Sequence, residues 1–115
     1  MVDNQERRNV ERIGRSEGVE VKIVECDNSH LLGQSYHCQT VDLSEGGLQL
    51  RLPEALPEAS VIEICITIHG SPCKYFLKGE VRYSHHEEGT YNTGVEFDSR
   101  QTADLMSWAE LFTEG

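Results

Sequence analysis

Apolar residues recur at every second position through most of this chain, from Gly18 to Phe97, and this period of two constrains the fold more than any other feature. Successive side chains of a β-strand point to opposite faces, so the alternation indicates strands with one buried and one exposed face. Six such segments occur, and residues typical of turns separate them. They centre on residues 19–23, 36–43, 48–52, 62–68, 75–83 and 91–97.

The alternation changes phase within the second segment. Tyr36 and Cys38 fit one face of a strand, whereas Val41 and Leu43 fit the opposite face. One extra residue in a strand shifts every later side chain to the other face, and a β-bulge supplies such a residue. We therefore predict a bulge near Thr40.

The fifth segment is interpreted as ending at Tyr83, whose position continues the alternation of the barrel-facing residues. The stretch His85–Gly89 that follows is interpreted as a loop. Its two histidines and two glutamates are possible metal ligands. Neighbouring residues on a strand face opposite sides, however, so a solvated hairpin tip is the preferred interpretation.

The period changes after Phe97, where apolar residues follow the i, i+3, i+4, i+7 spacing of an amphipathic helix. These residues are Leu105, Trp108, Ala109 and Phe112. Asp98, with Gln101 three residues later, is predicted to cap this helix. Six short strands and one terminal helix predict an all-β fold, a six-stranded antiparallel β-barrel with the helix packed against it or across one end.

The charge balance limits the classes of partner. The 115 residues include 10 Lys and Arg against 20 Asp and Glu, a formal net charge of −10. Nucleic acids and anionic membranes attract basic surfaces, so we expect no general binding to DNA, RNA or a membrane surface. Apolar runs are too short to span a bilayer, and Met1–Glu6 lacks the apolar segment of a secretory signal. A cytoplasmic protein is therefore expected.

The four cysteines give no sign of a metal site. They are Cys26, Cys38, Cys65 and Cys73, and no two of them form a C-x-x-C pair. Zinc sites use closely spaced pairs of ligands, which this spacing does not supply. In the cytoplasm, thiols stay reduced, so disulfide bonds are not expected either. We expect free thiols with a structural role, and no metal or other cofactor.

Arginine is concentrated at the start of the chain, where four of the seven arginines fall within the first fifteen residues. This segment has few apolar residues to bury, so residues 1–17 are predicted to form a flexible arm before a single domain, residues 18–115. Within the arm, Arg8 and Arg12 form an R-x-x-x-R pattern. Guanidinium groups bind phosphate oxygens and the O6 and N7 atoms of guanine in pairs of hydrogen bonds. A solvated basic tail is the alternative interpretation of this segment.

A second polar motif, D-x-S-x-x-G, lies at the end of the second predicted strand. An ionised Asp42 only accepts hydrogen bonds, which complements the N1–H and N2–H₂ donors of guanine. Ser44 adds a hydroxyl that donates or accepts, and Gly47 permits a positive φ and a close approach of backbone. Asp, Ser and Gly are also the usual residues of turns, so the motif alone is compatible with an ordinary hairpin.

The two motifs together resemble those of the PilZ domain family, which binds the second messenger cyclic di-GMP. The resemblance rests on R-x-x-x-R at Arg8 and Arg12 followed about thirty residues later by D-x-S-x-x-G at Asp42–Gly47. It extends to Gly94–Phe97, which is similar to the closing G-V-x-F strand of the family. The resemblance covers nearly the whole chain, from about Glu6 to the final helix.

This resemblance implies a six-stranded barrel whose arginine-rich arm folds over the ligand. Arg8 and Arg12 would contact the phosphates and the guanine edges. The facing wall on the barrel surface would consist of Asp42, Ser44 and Gly47. The predicted ligand is cyclic di-GMP, and the position of the arm would be the signal to an unidentified downstream protein.

The residue before the first arginine of the motif is associated in this family with the number of ligand molecules bound. Here it is Arg7, which resembles the members that bind a stacked ligand pair. The chain departs from a purely basic motif at Glu11, an acid between the two key arginines that would partly neutralise them.

Two other classes of function are left open. A protein-interaction adaptor with the same fold would bind no nucleotide, but such members typically lack the arginine pair found at Arg8 and Arg12. A small enzyme ranks last, because the sequence contains no G-x-S-x-G motif and no recognisable nucleophile–base pair.

Overall fold

The computed structural model describes residues 12–13, 17–67, 74–101 and 103–112, and seven strands and one helix lie within these ranges. The elements are β1 (Arg12–Ile13), β2 (Gly18–Glu25), β3 (Ser35–Ser44), β4 (Gly47–Leu52), β5 (Val61–Thr67), β6 (Lys74–Glu87), β7 (Thr90–Phe97) and α1 (Ala103–Glu110). No helix among them is long and apolar enough to cross a membrane.

Strands β2 to β7 form a closed antiparallel barrel, which confirms the predicted fold class. The hydrogen-bonded order is β3-β2-β5-β6-β7-β4, and β4 pairs again with β3 to close the sheet. The two-residue strand β1 pairs with the end of β3 along the edge opposite β4, where Arg12 lies opposite Ser44 and Ile13 opposite Leu43. Of the predicted arm, residues 1–11 and 14–16, and with them Arg7 and Arg8, lie outside the described residues. Glu17 is described and is buried, and its N–H donates a hydrogen bond to Thr40 Oγ1 at 2.9 Å.

The inward positions of the alternating segments form the core. The apolar strand side chains with at most 1% exposure come from β2, β4, β5 and β6, because each strand turns every second residue inward. They include Val21, Ile23, Leu48, Leu50, Leu52, Ile62, Ile64, Ile66 and Val81. Most outer positions are polar. This pattern determines the register of each strand, since a slip of one residue would expose the whole apolar set.

The predicted bulge in the second segment is confirmed. The register between β3 and β4 shifts between Thr40 and Asp42, so Val41 is the extra residue. Thr40 is buried before the bulge and Leu43 after it. Asp42 is therefore placed on the outer face of the barrel, next to β4.

The predicted loop at His85–Gly89 is wrong in its extent, because β6 continues to Glu87. His85 pairs with Asn92 and His86 with Tyr91, so the hairpin projects beyond the core as a regular ladder. The turn contains only Glu88 and Gly89, with φ values of 50° and 85°. Two consecutive left-handed residues are typical of the tightest hairpin turns, and glycine favours the second position.

The predicted cap of the helix is also wrong, because α1 begins at Ala103, five residues after Asp98. The Asp98 carboxylate instead accepts hydrogen bonds from the backbone and side chain of Arg100, and these lower its pKa to about 2. Gln101 bonds to both the N–H and the C=O of Lys78. These bonds satisfy a part of β6 that extends past the end of its pairing with β7.

Helix α1 covers one end of the barrel through Trp108, which is fully buried. Its indole lies edge-on to Tyr75 and Phe97, with ring centroids 5.6 and 5.5 Å away. The Asp104 carboxylate accepts a hydrogen bond from the N–H of Phe76 at 2.8 Å, which links the helix to β6. These contacts confirm the prediction that the terminal helix packs across one end of the barrel.

The cysteines within the described residues are free thiols, namely Cys26, Cys38 and Cys65, whereas Cys73 lies outside. Burial raises the pKa of the Cys38 thiol to about 12, so this thiol stays protonated at neutral pH. Ser60 donates a hydrogen bond to the Cys26 sulfur at 3.4 Å. Both environments are typical of structural thiols.

Candidate functional site

The outer face of strands β3, β4, β7 and β6 aligns three polar or aromatic side chains and one glycine in a row. Asp42 lies opposite Gln49, Gln49 opposite Gly94, and Gly94 opposite Tyr83. Residues directly opposite each other in antiparallel strands lie on the same face with adjacent side chains. We call this set, Asp42–Gln49–Gly94–Tyr83, the site row.

A groove of about 610 Å³ follows the site row. It is lined by Asp42, Ser44, Gly46, Gly47, Leu48, Gln49, Arg82, Tyr83, Gly94, Val95 and Glu96. The structure thus brings the predicted Asp42, Ser44 and Gly47 into one surface groove, together with residues from strands forty to fifty positions later in the chain. We call it the site groove.

Hydrogen bonds hold both the side-chain hydroxyl and the backbone carbonyl of Ser44. Its hydroxyl donates a hydrogen bond to the Gly47 carbonyl at 3.1 Å, and its own carbonyl accepts one from Trp108 Nε1 at 2.9 Å. The hydroxyl proton is therefore engaged within the turn, and the oxygen lone pairs remain as acceptors. The helix and the candidate site consequently meet at one residue.

Gly47 is required by a close approach of two strands. A Cβ atom at this position would lie 2.1 Å from the Val95 carbonyl oxygen. Of the two properties that glycine permits, this position uses the close approach and not a positive φ, since the glycines with positive φ in the described chain are Gly33 and Gly89. The glycine instead allows β4 to lie close to the β7 backbone at the edge of the site groove.

Gly47→Ala is expected to lower the free energy of unfolding by about 1–3 kcal/mol or more, because the added methyl group overlaps backbone that cannot rotate away. Gly46→Ala is the matched control, since a Cβ atom added there would meet nothing within 4 Å. Urea unfolding of both variants measures the difference. Equal stabilities would contradict the close approach.

The R-x-x-x-R and D-x-S-x-x-G motifs meet through the backbone. Arg12, the second arginine of the first motif, lies directly opposite Ser44 of the second motif in the β1–β3 ladder. These residues are far apart in the sequence, so this proximity is a product of the fold. Arg7 and Arg8 lie outside the described residues.

Tyr83 is a groove residue that the sequence interpretation placed on the barrel-facing side. The register between β6 and β7 shifts between Val81 and Tyr83, so Arg82 occupies a bulge and Tyr83 turns to the outer face. Tyr83 is 37% exposed. The phase of the apolar residues gives no sign of this bulge, because an aromatic residue fits either face.

Three neighbours hold the Tyr83 ring in place. A Cβ atom on Gly94 would lie 2.2 Å from the ring, so the absence of a side chain there makes room for it. Gln49 Nε2 donates a hydrogen bond to the Tyr83 hydroxyl at 3.1 Å, and the His85 ring stacks on it at 4.9 Å. Glycine inside a regular strand is the sequence signal that marks such a close approach.

Strand β6 contributes the cation Arg82 to the site groove, but this guanidinium forms ion pairs with two carboxylates. Its guanidinium lies 3.5 Å from a Glu80 oxygen and 3.3 Å from a Glu96 oxygen. Asp42 adds a further carboxylate to the groove. An anionic ligand on this surface would therefore depend on additional positive charge, of the kind that the N-terminal arginines carry.

The described part of the groove combines hydrogen-bond acceptors with a flat aromatic ring. Asp42 and Ser44 accept, Gln49 both donates and accepts, and Tyr83 presents a ring face. Such a surface can recognise a planar heterocycle whose edge carries N–H donors. Within the described ranges, no three His, Cys, Asp or Glu side chains are grouped to hold a metal ion.

Comparison with known proteins gives a family match over most of the chain. A model of the PilZ domain family matches residues 6–112. None of the curated proteins matches the chain.

Solved structures share the fold at low sequence identity. The inhibitor of motility MotI/DgrA of Bacillus subtilis has a TM-score of 0.71 and 12% identity, covering 92% of this chain and 49% of its own. The PilZ domain of CeSA from a cellulose-synthesizing bacterium has a TM-score of 0.63 and 20% identity, covering 89% and 94%. The PlzA protein of Borreliella burgdorferi, solved in complex with c-di-GMP, has a TM-score of 0.56 and 16% identity, covering 99% and 38%. This chain thus spans about half the length of MotI/DgrA.

Proposed function

Since this chain belongs to the PilZ domain family, we propose that it is a non-enzymatic receptor for the second messenger cyclic di-GMP. The ligand binds between the R-x-x-x-R arm and the site groove. The observation that carries this proposal is the pairing of Arg12 with Ser44, which joins the two ligand-binding motifs of the family at one point of the barrel. The complex of PlzA with c-di-GMP supports the choice of ligand.

The chemistry of the groove fits one half of the ligand. The Watson–Crick edge of guanine presents N1–H and N2–H₂ donors, and Asp42 presents only acceptors. Arg8 and Arg12 supply forked donors for the phosphates and for guanine O6 and N7. Because the phosphates are anionic and the described groove is not basic, these arginines contribute the charge that the groove lacks.

Ordering of the arm is the proposed signal. Fixing the arm around the ligand has an entropic cost that the charge-assisted hydrogen bonds must exceed. The net charge of −10 repels a dianionic ligand at long range, so affinity comes from short-range arginine contacts. The new position of the arm changes the surface offered to a downstream protein.

Calorimetric titration of the full chain with cyclic di-GMP tests the proposal, with cyclic di-AMP as the matched ligand. We expect binding of the guanine dinucleotide alone, because adenine lacks the N1–H and N2–H₂ donors that Asp42 complements. We expect a stoichiometry of two ligand molecules per chain, because Arg7 resembles the residue of family members that bind a stacked pair. In parallel NMR spectra, signals of residues 6–11, which precede β1, should move to the dispersed positions of an ordered segment when the ligand is added. Absence of heat with cyclic di-GMP would refute the proposal.

Tyr83→Ala is expected to weaken binding of cyclic di-GMP by about 1–3 kcal/mol, the usual contribution of an aromatic ring that stacks on a base. Tyr83→Phe keeps the ring and loses only the hydroxyl that meets Gln49, so it should bind nearly as tightly as the native chain. Equal affinities for the alanine and phenylalanine variants would show that the ring face is not used. Calorimetry on both variants measures the difference.

A second candidate function is a protein-interaction adaptor that binds no nucleotide. One observation favours it, namely the exposure of two large apolar side chains, Phe76 at 62% and Met106 at 67%. Arg8 and Arg12 speak against it, because nucleotide-independent members typically lack that pair. Partner capture that is equally strong with and without cyclic di-GMP would favour the adaptor.

A further inference from the structure

A second row of polar residues lies next to the site row on the same outer face. Gln39 is opposite Arg51, Arg51 opposite Asn92, and Asn92 opposite His85. Each member is two residues along its strand from the site row, or three on β3 because of the bulge, which puts the rows roughly 7 Å apart. We call this set, Gln39–Arg51–Asn92–His85, the second row.

Arg51 differs from the other arginines whose side chains the structure describes. Arg82 and Arg100 are held by carboxylates at 3.3 and 2.9 Å. Arg51 is exposed and has no carboxylate within ion-pair distance in the described part of the chain. Because no carboxylate engages this guanidinium, its N–H donors are available to an anionic ligand, and the candidate anion site lies beside it.

A groove of about 570 Å³ lies beside Arg51. It is lined by His37, Cys38, Gln39, Thr40, Val41, Arg51, Leu52, Pro53 and Thr90. It follows the same β3–β4 ladder as the site groove, on the other side of the Val41 bulge. We call it the second groove.

Two further features mark the second row as a binding surface. The His85 ring stacks on Tyr83 at 4.9 Å with an interplanar angle of 29°, which extends the aromatic surface from the site row into the second row. Asn92 donates to the Glu87 carboxylate, but its Oδ1 atom is buried without a partner among the described atoms. Buried polar groups almost always have a hydrogen-bond partner, so a group without one indicates a ligand or a functional role.

We propose that the second row and the second groove form a subsite for a second guanylate unit, with Arg51 binding its phosphate or the O6 and N7 edge of its base. This inference rests on the proposed cyclic di-GMP binding. The unit is either the far half of the bound molecule or part of a second molecule. Arg51 provides the fork that both require, and the Tyr83–His85 pair provides the ring surface.

Calorimetry with cyclic di-GMP on Arg51→Gln, Arg51→Lys and Lys22→Gln tests the subsite. We expect Arg51→Gln to raise Kd about tenfold or more, because a charge-assisted pair of hydrogen bonds is lost. Arg51→Lys keeps the charge but loses the forked pair of donors, so its Kd should lie between those of the native chain and Arg51→Gln. Lys22→Gln removes one charge from β2, which does not border β4, and should leave Kd within about twofold.

The outcomes separate the possible sources of the guanylate unit. A fall from two ligand equivalents to one in Arg51→Gln identifies a second molecule, and weaker binding at unchanged stoichiometry identifies the far half of the same molecule. Normal binding by the native chain with an unchanged Kd and stoichiometry in Arg51→Gln overturns the subsite alone. Failure of the native chain to bind refutes the proposed function, and the subsite with it.

A direct measurement on the native chain avoids any effect of substitution on folding. The side-chain Nε–H resonance of Arg51 should shift when cyclic di-GMP is added, because the guanidinium contacts the ligand. The corresponding resonance of Arg100, which is bound to Asp98, should not move. A stationary Arg51 resonance at ligand saturation would overturn the inference.

Discussion

Trp108→Ala is expected to lower the free energy of unfolding by about 3–5 kcal/mol, the usual cost of removing a buried tryptophan side chain. Trp108 is completely buried and contacts Tyr75 and Phe97 edge-on. Its loss would also leave the Ser44 carbonyl without the indole donor. Circular dichroism in urea is the suitable measurement, because the chain has only one tryptophan and fluorescence would be lost with it.

Two further variants separate packing from hydrogen bonding. Trp108→Phe keeps an aromatic ring but loses the N–H donor to Ser44, so an intermediate loss of about 1–3 kcal/mol is expected. Met106→Ala is the control on the same helix, since its side chain is 67% exposed. It should stay within about 0.5 kcal/mol of the native chain. If Trp108→Ala is as stable as Met106→Ala, helix α1 does not close the barrel.

Asp42→Ala and Arg8→Ala are each expected to weaken cyclic di-GMP binding by at least ~2 kcal/mol, because each removes a charged partner from the ligand. For Asp42→Ala, the direction of the change in affinity is informative. Removing a negative charge reduces the long-range repulsion of an anionic ligand, so electrostatics at a distance would favour binding. Weaker binding by Asp42→Ala therefore reports a lost direct contact. Calorimetry on variants with unchanged thermal stability measures the effect.

Asp27→Ala is the matched control for the carboxylate. Asp27 is exposed in the connection between β2 and β3, and its removal changes the net charge by the same amount. We expect Asp27→Ala to bind at least as tightly as the native chain. Equal affinities for Asp42→Ala and Asp27→Ala would refute a role of Asp42 in ligand recognition.

The two bulges show what a sequence reveals about a barrel. The bulge at Val41 is visible because the apolar residues on its two sides occupy opposite phases. The bulge at Arg82 is hidden because Tyr83 continues the alternation and an aromatic residue suits a half-exposed position. The second bulge matters more for the site, since it turns the Tyr83 ring into the site groove.

The helix start illustrates a different limit. Asp98 and Gln101 have the spacing of a capping pair, but they bond to Arg100 and to the Lys78 backbone instead. Capping residues satisfy whichever backbone groups lie closest. Here the part of β6 that extends past its pairing with β7 competes with the helix for these side chains, and only the folded chain shows which backbone groups are nearer.

The sequence by itself determined the number of barrel strands, the terminal helix and a bulge near Thr40, because these depend on local backbone geometry. The two motifs are visible in it directly. Alternation and helical spacing are properties of a few neighbouring residues. The tertiary structure alone decided which residues face each other across strands. It placed Arg12 opposite Ser44, and it aligned Asp42 with Tyr83 through Gln49 and Gly94. Register depends on how the closed barrel packs its core as a whole, and no short segment contains that information.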